Sequence, residues 1–532
     1  MLSFLAIGIL IFTSLIMVIV YLIRKKFPFF WLIAVVGSIT SWLLVLLNGF
    51  QIPQNVVIYK WSTLGILSDS LVLTIDQVSW PLSLALETLV LTMILTSAAG
   101  IQSIDWRALA VSLSMTAIGI LSVLAGNPLS LLIGWVAVDM VEAAILLFQV
   151  DKNEIRQRVV ISFGTRIAGV ICLLFSMLLS KTSGSPLTFT TITPQICIYL
   201  LLAVGLRLGV LPLHTPFFQE APKRQGLGTI LRLVPASISL VLLVRIATVG
   251  IQAIFVPYLF VLTILAAVYG GWRWAKAADE LSGRPYWILC TASFAATAAI
   301  RSQPTTTLAW ALICLFCGGM LFFTSIRHRN LLPIMLLGIL GVTNLPFSQS
   351  WNGTGLYAYP ILPGAPSHAY QFNRLDTYIL FAFPFLFAQA ILLAGYARHS
   401  LRIVESKINL ERWVWVIYPI GLTLLPIIHS ILSWRYKSSW EDMPLSAWWS
   451  GFVVCGLGIL IWSWIKKDQT VPFFFVFLQD RIFRINWIYQ LIRFVSRMIG
   501  GIFNIFSNIL EGEAGILWAL VLFALVFTIL IR

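Results

Sequence analysis

The stretch Gly205–Phe217, GLRLGVLPLHTPF, overlaps the end of the apolar run ICIYLLLAVGL and precedes another long apolar segment. Arg207, Pro212, His214 and Pro216 stand where a membrane helix would otherwise continue. Each proline removes a backbone donor and clashes with the preceding turn, so a helix carrying Arg207 cannot run unbroken past about residue 212. A broken helix survives in hydrocarbon only where protein or water satisfies the freed backbone groups, and that is the architecture of an ion-transport site.

The surrounding chain supplies the hydrocarbon setting. Of its 532 residues 59% are hydrophobic and 10% charged, against about a quarter charged in soluble proteins, and the mean hydropathy is +0.94. This is the composition of an integral, multi-pass membrane protein. Windows long enough to cross about 30 Å of hydrocarbon predict some sixteen spans: 2–23, 29–50, 80–100, 107–125, 128–150, 159–180, 195–213, 226–250, 253–272, 286–300, 305–326, 331–346, 377–397, 413–433, 446–465 and 514–531. The first is followed by Arg24, Lys25 and Lys26, with no basic region or small-residue cleavage site before it. It therefore reads as an uncleaved anchor with its N-terminus outside. Threading alternately from there puts roughly 24 Lys and Arg on the cytoplasmic side against about 7 outside, as the positive-inside rule requires. The formal charge of +15 is thus a matter of topology, and no nucleic-acid partner is expected.

Residues 51–79 alternate apolar and polar positions about the SDS stretch (Ser68–Ser70), which predicts an external hairpin turning there. Residues 347–374, rich in Gly, Pro and Asn, predict an external loop. The NGT pattern at Asn352 within it matches a glycosylation acceptor, but short patterns recur by chance and nothing else suggests a eukaryotic secretory route. In 471–510, Arg481, Arg484, Arg493 and Arg497 recur among aromatics at helical intervals. Such a helix has one basic and one apolar face and should lie along the membrane surface or a neighbouring subunit. The expected organisation is N-terminal helices with the hairpin (1–106), a transmembrane core (107–400), additional helices (401–470), the amphipathic lateral helix (471–513) and a final transmembrane helix (514–532). Six scattered cysteines offer no disulfide framework. The CxxC of Cys314 and Cys317 lies in an apolar run without a neighbouring His or acid, so packing is expected and no metal site.

Ionisable groups at membrane depth are costly and face a cavity or a partner, which makes each a functional candidate. They are Glu87, Asp139, Glu142, Arg166, Arg207, His214, Arg232 and Arg245. Asp139 and Glu142, three apart, share a helix face. Arg207 and His214, seven apart, share one if the helix persists that far. A carboxyl opposite an arginine is the minimal element of a proton relay: the cation favours the ionised acid, and its withdrawal favours the protonated one. A static ion pair between two helices is the alternative.

Several patches, in order, resemble the antiporter-like, proton-conducting membrane subunits shared by respiratory complex I, related hydrogenases and Mrp-type cation/proton antiporters. LTIDQVSWPLSL (73–84) is similar to the Asp-x-x-Ser start of the family's third span, and LAGNPLSLLIGWVAVDMVE (124–142) to its Asn-x-x-x-x-x-x-Gly-Trp-Glu segment. RLGVLPLHTPFFQEAP (207–222) is similar to Lys-x-Pro-x-x-Pro-Leu-His-x-Trp-x-x-Asp-Ala, and LVLLVRI (240–246) to the Leu-Leu-x-Arg ending the next span. YGGWRWAKAADELSGRPYWIL (269–289), which carries Lys276, is similar to the Gln-Thr-Asp-x-Lys-Arg segment, and LEGEAGILWAL (510–520) to the C-terminal extension of the largest such subunits.

The resemblance implies an all-α polytopic fold of about 16 transmembrane helices, with inverted repeats and broken helices. It implies a subunit of a proton- or cation-translocating complex of the Mrp or NADH:quinone oxidoreductase type. Expected partners are the lipid bilayer, sister membrane subunits and protons or monovalent cations, in a prokaryotic plasma membrane or, alternatively, a thylakoid or organelle inner membrane. The chain has no catalytic centre, cofactor or metal motif of its own, so any redox step falls to partners. The family's charges transfer incompletely. The fifth-span glutamate falls on Val136, with Asp139 one turn on; the lysine of the broken helix falls on Arg207; the eighth-span lysine or histidine falls near Ala236; the central lysine falls near Phe316; the distal acid or lysine, after NLPFSQSWNG (344–353), is missing. Asp139, Glu142, Arg207 and His214 are therefore the expected reduced relay, with Glu87, Arg166, Arg232, Arg245 and Lys276 in support. A non-pumping paralogue that anchors or spaces a membrane complex is the alternative.

Overall fold

The computed structural model describes residues 2–25, 27–60, 70–103, 105–149, 153–182, 187–190, 192–215, 225–358, 375–402, 411–436 and 445–466, with isolated positions between 490 and 501. The chain forms two compact units, Met1–Gln469 and Thr470–Arg532. Within the first, the described helices are α1 (Leu2–Ile23), α2 (Phe30–Asn48), α3 (Ser79–Thr96), α4 (Trp106–Val123), α5 (Pro128–Gln149), α6 (Asn153–Thr182), α7 (Pro194–Leu208) and α8 (Gln225–Ala247). They continue with α9 (Val256–Ala275), α10 (Glu280–Ile300), α11 (Pro304–Phe323), α12 (Leu332–Thr343), α13 (Leu375–Ser400), α14 (Val414–Arg435) and α15 (Leu445–Lys466). Each of the first fifteen expected spans thus has its helix. The sixteenth, 514–531, lies outside the described residues, as does most of the expected lateral helix. In that second unit the described positions, Arg497 among them, are helical and exposed.

Twelve described spans are long and apolar enough to cross a membrane, while α7 and α12 are shorter apolar helices. α3, α8, α10 and α11 are buried along nearly their whole length. α1, α2, α9 and α14 turn Leu, Ile, Val and Phe outward. That is how a helical bundle meets lipid. Lipid tails give no hydrophobic drive between helices, so close packing must come from small residues. α10 shows this: Ala292, Ser293, Ala295, Ala296, Ala298 and Ala299 are all buried. Where α9 passes it, a Cβ on Gly270 would stand 2.9 Å from the Cys290 backbone nitrogen. α10 begins at Glu280, six residues before the expected span, because Asp279 and Ser282 form a capping box with a 2.7 Å bond from Ser282 N to Asp279 Oδ1.

β1 (Gln54–Lys60) and β2 (Ser70–Ile75) form the expected antiparallel hairpin, but Lys60 pairs with Ser70. Ser70 of the SDS stretch is therefore in a strand, while Ser68 and Asp69 lie outside the described residues. β2 in turn grips the α4–α5 turn: Thr74 N donates to Leu124 O (2.7 Å) and Gly126 N to Val72 O (2.8 Å). The expected external loop also begins differently. Residues 351–357 form a buried 3-10 helix. Its carbonyls at Gly355 and Leu356, and that of Ala358, accept hydrogen bonds from Arg301, and the Asn352 amide donates to Ser433 O at 3.1 Å.

Two successive five-helix runs, α4–α8 and α9–α13, each have a short fourth helix ending at a positive-φ residue. α7 has 15 residues and stops at Gly209 (φ 79°); α12 has 12 and stops at Asn344 (φ 56°). At 1.5 Å per residue neither spans about 30 Å of hydrocarbon. These are the broken helices of the expected repeats.

Candidate functional site

α5 brings the acids into place. Asn127 caps it, accepting from Ser130 N (2.8 Å) while its amide donates to Ser70 O (2.7 Å), so the start of α5 is tied to the hairpin. Three turns on, Asp139 and Glu142 face inward together, both fully buried.

Five charged side chains alternate there. Arg207 Nη1 and Nη2 donate to the two Asp139 carboxylate oxygens, the second at 2.9 Å. Arg166 Nη1, from α6, bridges Asp139 (3.3 Å) and Glu142. Arg232 Nη1, from α8, reaches the other Glu142 oxygen at 2.5 Å. The order is Arg207–Asp139–Arg166–Glu142–Arg232, and no member is more than 2% exposed. Forked, charge-assisted bonds of this kind are the strongest available to side chains. Arg207 also donates from Nε to Ser239 Oγ at 3.2 Å, and its guanidinium lies 4.3 Å from the Trp135 ring centre. Trp135 is itself fixed by a 2.9 Å bond to Ile238 O.

The break in α7 sets the position of Arg207. Gly209 adopts the left-handed conformation, and its N–H closes on Gly205 O, as does that of Val210 (2.9 Å). The helix therefore ends at Leu208, well before the prolines expected to stop it, and Arg207 sits in the last turn, where a cation meets the negative end of the helix dipole. Gly169 of α6 makes room for it: a Cβ there would lie 2.7 Å from both Arg207 Cγ and Ala203 O.

The early stop separates His214 from this group. With no helix between 208 and 214 the seven-residue spacing puts nothing on a common face. The ring Nδ1 instead lies 2.8 Å from Pro212 O. Three supporting candidates also lie elsewhere. Arg245 pairs with Asp76 at 2.9 Å, joining the end of α8 to the start of α3. Lys276 is exposed at the end of α9, over the Trp272 ring. Glu87 is buried in α3 beside Ser41, without an arginine. Arg166 and Arg232, expected only in support, are full members of the chain of charges.

Ser239 and Trp135 were missed, although Gly-Trp at 134–135 was a signal for the second. In space Cys317 has a histidine neighbour, His429 Nδ1 at 3.9 Å, which sequence proximity did not reveal. Among the described residues no group of three or more His, Cys, Asp or Glu is placed to hold a metal ion.

No protein-family model and no curated protein matches the sequence. Solved structures do. A chain of the Mrp complex from Dietzia sp. DQ12-45-1b aligns over 100% of this chain and 63% of its own length, at 14% identity and TM-score 0.70. A chain of the membrane-bound sulfane sulfur reductase, an archaeal respiratory membrane complex, aligns over 98% of this chain and 100% of its own, at 15% identity and TM-score 0.64. One from respiratory complex I of Thermus thermophilus aligns over 81% and 99%, at 14% identity and TM-score 0.59. This chain spans under two thirds of the Mrp-complex chain's length but nearly all of the other two. With its two broken short helices and its multi-pass bundle, it has the fold of the antiporter-like membrane subunits found in these complexes.

Proposed function

We propose that the chain is a subunit of a proton- or cation-translocating membrane complex, in which Asp139 and Glu142 exchange protons under the control of Arg207, Arg166 and Arg232. The observation that carries this reading is the forked hold of Arg207, at the end of a broken helix, on a buried Asp139. Arginine stays charged in proteins, so it does not carry the proton. It governs the acid: a carboxyl takes up a proton when its guanidinium withdraws and gives it up when the guanidinium returns. Arg166, shared by both acids, couples a change at Asp139 to Glu142. His214, buried next to the break, is proposed as the relay's fourth member. The positive-inside bias supports an N-terminus outside; the membrane proposed is a prokaryotic plasma membrane, or else a thylakoid or organelle inner membrane. Ion flux into vesicles holding the intact complex tests the relay: Asp139→Asn and Arg207→Ala should each abolish it, and unchanged flux in both rejects it.

One observation favours a second reading, a non-pumping paralogue that spaces or anchors the complex. Between residues 286 and 300, 304 and 323, 332 and 343, and 381 and 397 there is no Asp, Glu, Lys or Arg, although Arg284 and Arg301 beside them are buried, so these stretches carry no charge of their own. That reading predicts that sister subunits are lost on purification when 471–510 is deleted, with no flux attributable to the chain.

A further inference from the structure

Glu87 lies outside the chain of charges. It is fully buried in α3, and Ser41 Oγ of α2 lies 2.5 Å from its Oε1. Ser41 Oγ also lies 3.1 Å from Ala6 O of α1. The serine has one proton and faces two acceptors, since a carboxylate and a carbonyl only accept. With Glu87 ionised, one of the two goes unserved. With Glu87 protonated, its O–H donates to Ser41 Oγ, Ser41 donates to Ala6 O, and both contacts are satisfied. The charge inventory agrees. On the helices packed against α3 the ionisable groups are Arg107 of α4, Arg232 and Arg245 of α8, Cys314 and Cys317 of α11, and Tyr418, His429 and Arg435 of α14, while α2 has none. Arg232 and Arg245 are engaged with Glu142 and Asp76, and Arg435 with Gly49 O. None of these groups pairs with Glu87, and its Oε2 has no partner. An isolated carboxylate in so dry a place is strongly disfavoured.

Polar side chains also stand on α1, α2 and α4. Asn48 and Ser3 pair at one end of α1 and α2 (2.5 Å), and Ser14 and Ser114 pair further along α1 and α4 (2.8 Å). On α4, Ser112 and Thr116 carry buried hydroxyls without partners. Hydroxyls can hand a proton on, since each both donates and accepts.

We propose that Glu87 is a proton-binding site in its own right, held as the carboxylic acid between α1, α2 and α3 and exchanging its proton along this polar seam. It stands whether or not Asp139 and Glu142 form a relay. Infrared difference spectra of the membrane-embedded complex, recorded between low and high pH and in H2O and D2O, test it without reference to flux. The wild type should show the C=O band of a protonated carboxyl that shifts in D2O and fades as pH rises. The band should be missing in Glu87→Gln and displaced in Glu87→Asp, the second serving if the first does not assemble. A difference spectrum unaltered by either substitution, or a Glu87 band that responds to neither D2O nor pH, overturns the proposal.

Discussion

The two broken helices end among different chemistry. At the end of α7 the neighbours are ionic: Arg207, Asp139 and Arg166. At the end of α12 they are neutral. Gln389 of α13 donates to Val342 O (2.9 Å) and accepts from Tyr357 OH (2.6 Å), while Asn344 N donates to Ser350 Oγ (2.9 Å). Amides and hydroxyls therefore suffice to satisfy a break buried in this bundle. Charge is not what the architecture demands, and the proposed relay would give its presence at α7 a reason.

The sharpest way to break that contrast is to disable each break in turn. Arg207→Ala leaves the Asp139 carboxylate short of its forked partner in a dry site, and removing one member of a buried pair costs about 3–5 kcal/mol. Gln389→Ala leaves the Val342 carbonyl short of its donor and takes from Tyr357 OH its shorter partner, Phe385 O remaining at 3.5 Å, a loss of about 1–3 kcal/mol. Thermal unfolding of the purified protein in detergent should rank them in that order. Asp139→Asn combined with Arg207→Gln should recover part of the first loss, because the carboxylate deprived of its forked partner is removed as well, leaving Arg166 and Arg232 to share Glu142. Flux should survive Gln389→Ala and not Arg207→Ala. Equal losses at the two breaks would mean that the ionic one is merely another scaffold.

Much of this was legible before any coordinates, and the reason is rarity. An Asp, Glu or Arg inside an apolar run has few innocent explanations, so Asp139, Glu142 and Arg207 stood out. Their pairing was less legible, because Arg166 and Arg232 arrive from other helices and spacing along the chain does not encode tertiary approach. His214 was tied to Arg207 on the premise of a continuing helix. The prolines drew attention, yet Gly209, two residues past Arg207, is what ends it. The α12 break carries no charge to advertise it. Gly- and Asn-rich sequence around 351–357 reads as loop although it folds as a buried 3-10 turn, since Arg301 satisfies its carbonyls from another helix.

The residues at the two turns sharpen the comparison on a smaller scale. Gly209 holds φ 79°, a conformation that costs a residue with a Cβ about 1–2 kcal/mol. Gly209→Ala should lower stability by about that amount and, by shifting the end of α7, move Arg207 off Asp139 and reduce flux. At the other break Asn344 (φ 56°) already tolerates the left-handed region. Asn344→Gly trades its 3.4 Å contact with Gln389 for an easier backbone and should change the melting temperature little, with flux intact. A flux loss in the asparagine variant would show both breaks to be functional.

The same division recurs where each half is fastened, and here pH separates the halves. Arg245 at the end of α8 meets a titratable partner, Asp76, whereas Arg301 at the end of α10 meets backbone carbonyls. Burial pushes the Asp76 carboxyl up, but the Arg245 guanidinium, with the Ser79 backbone N–H and hydroxyl, outweighs it and holds the group below the usual carboxylate value. A carboxyl held low in the folded protein contributes stability that is fully present above its unfolded value of about 3.9 and is lost as pH falls through the folded one. Asp76→Asn should therefore be less stable than wild type at pH 7, by about 1 kcal/mol for so partly exposed a pair, and the gap should close as the pH is taken below about 4. Arg301→Ala should keep its deficit across the same range, because carbonyls do not titrate. Melting curves of the three proteins from neutral to acid pH settle it: a constant gap for Asp76→Asn would mean that the carboxylate is not what fastens α3 to α8.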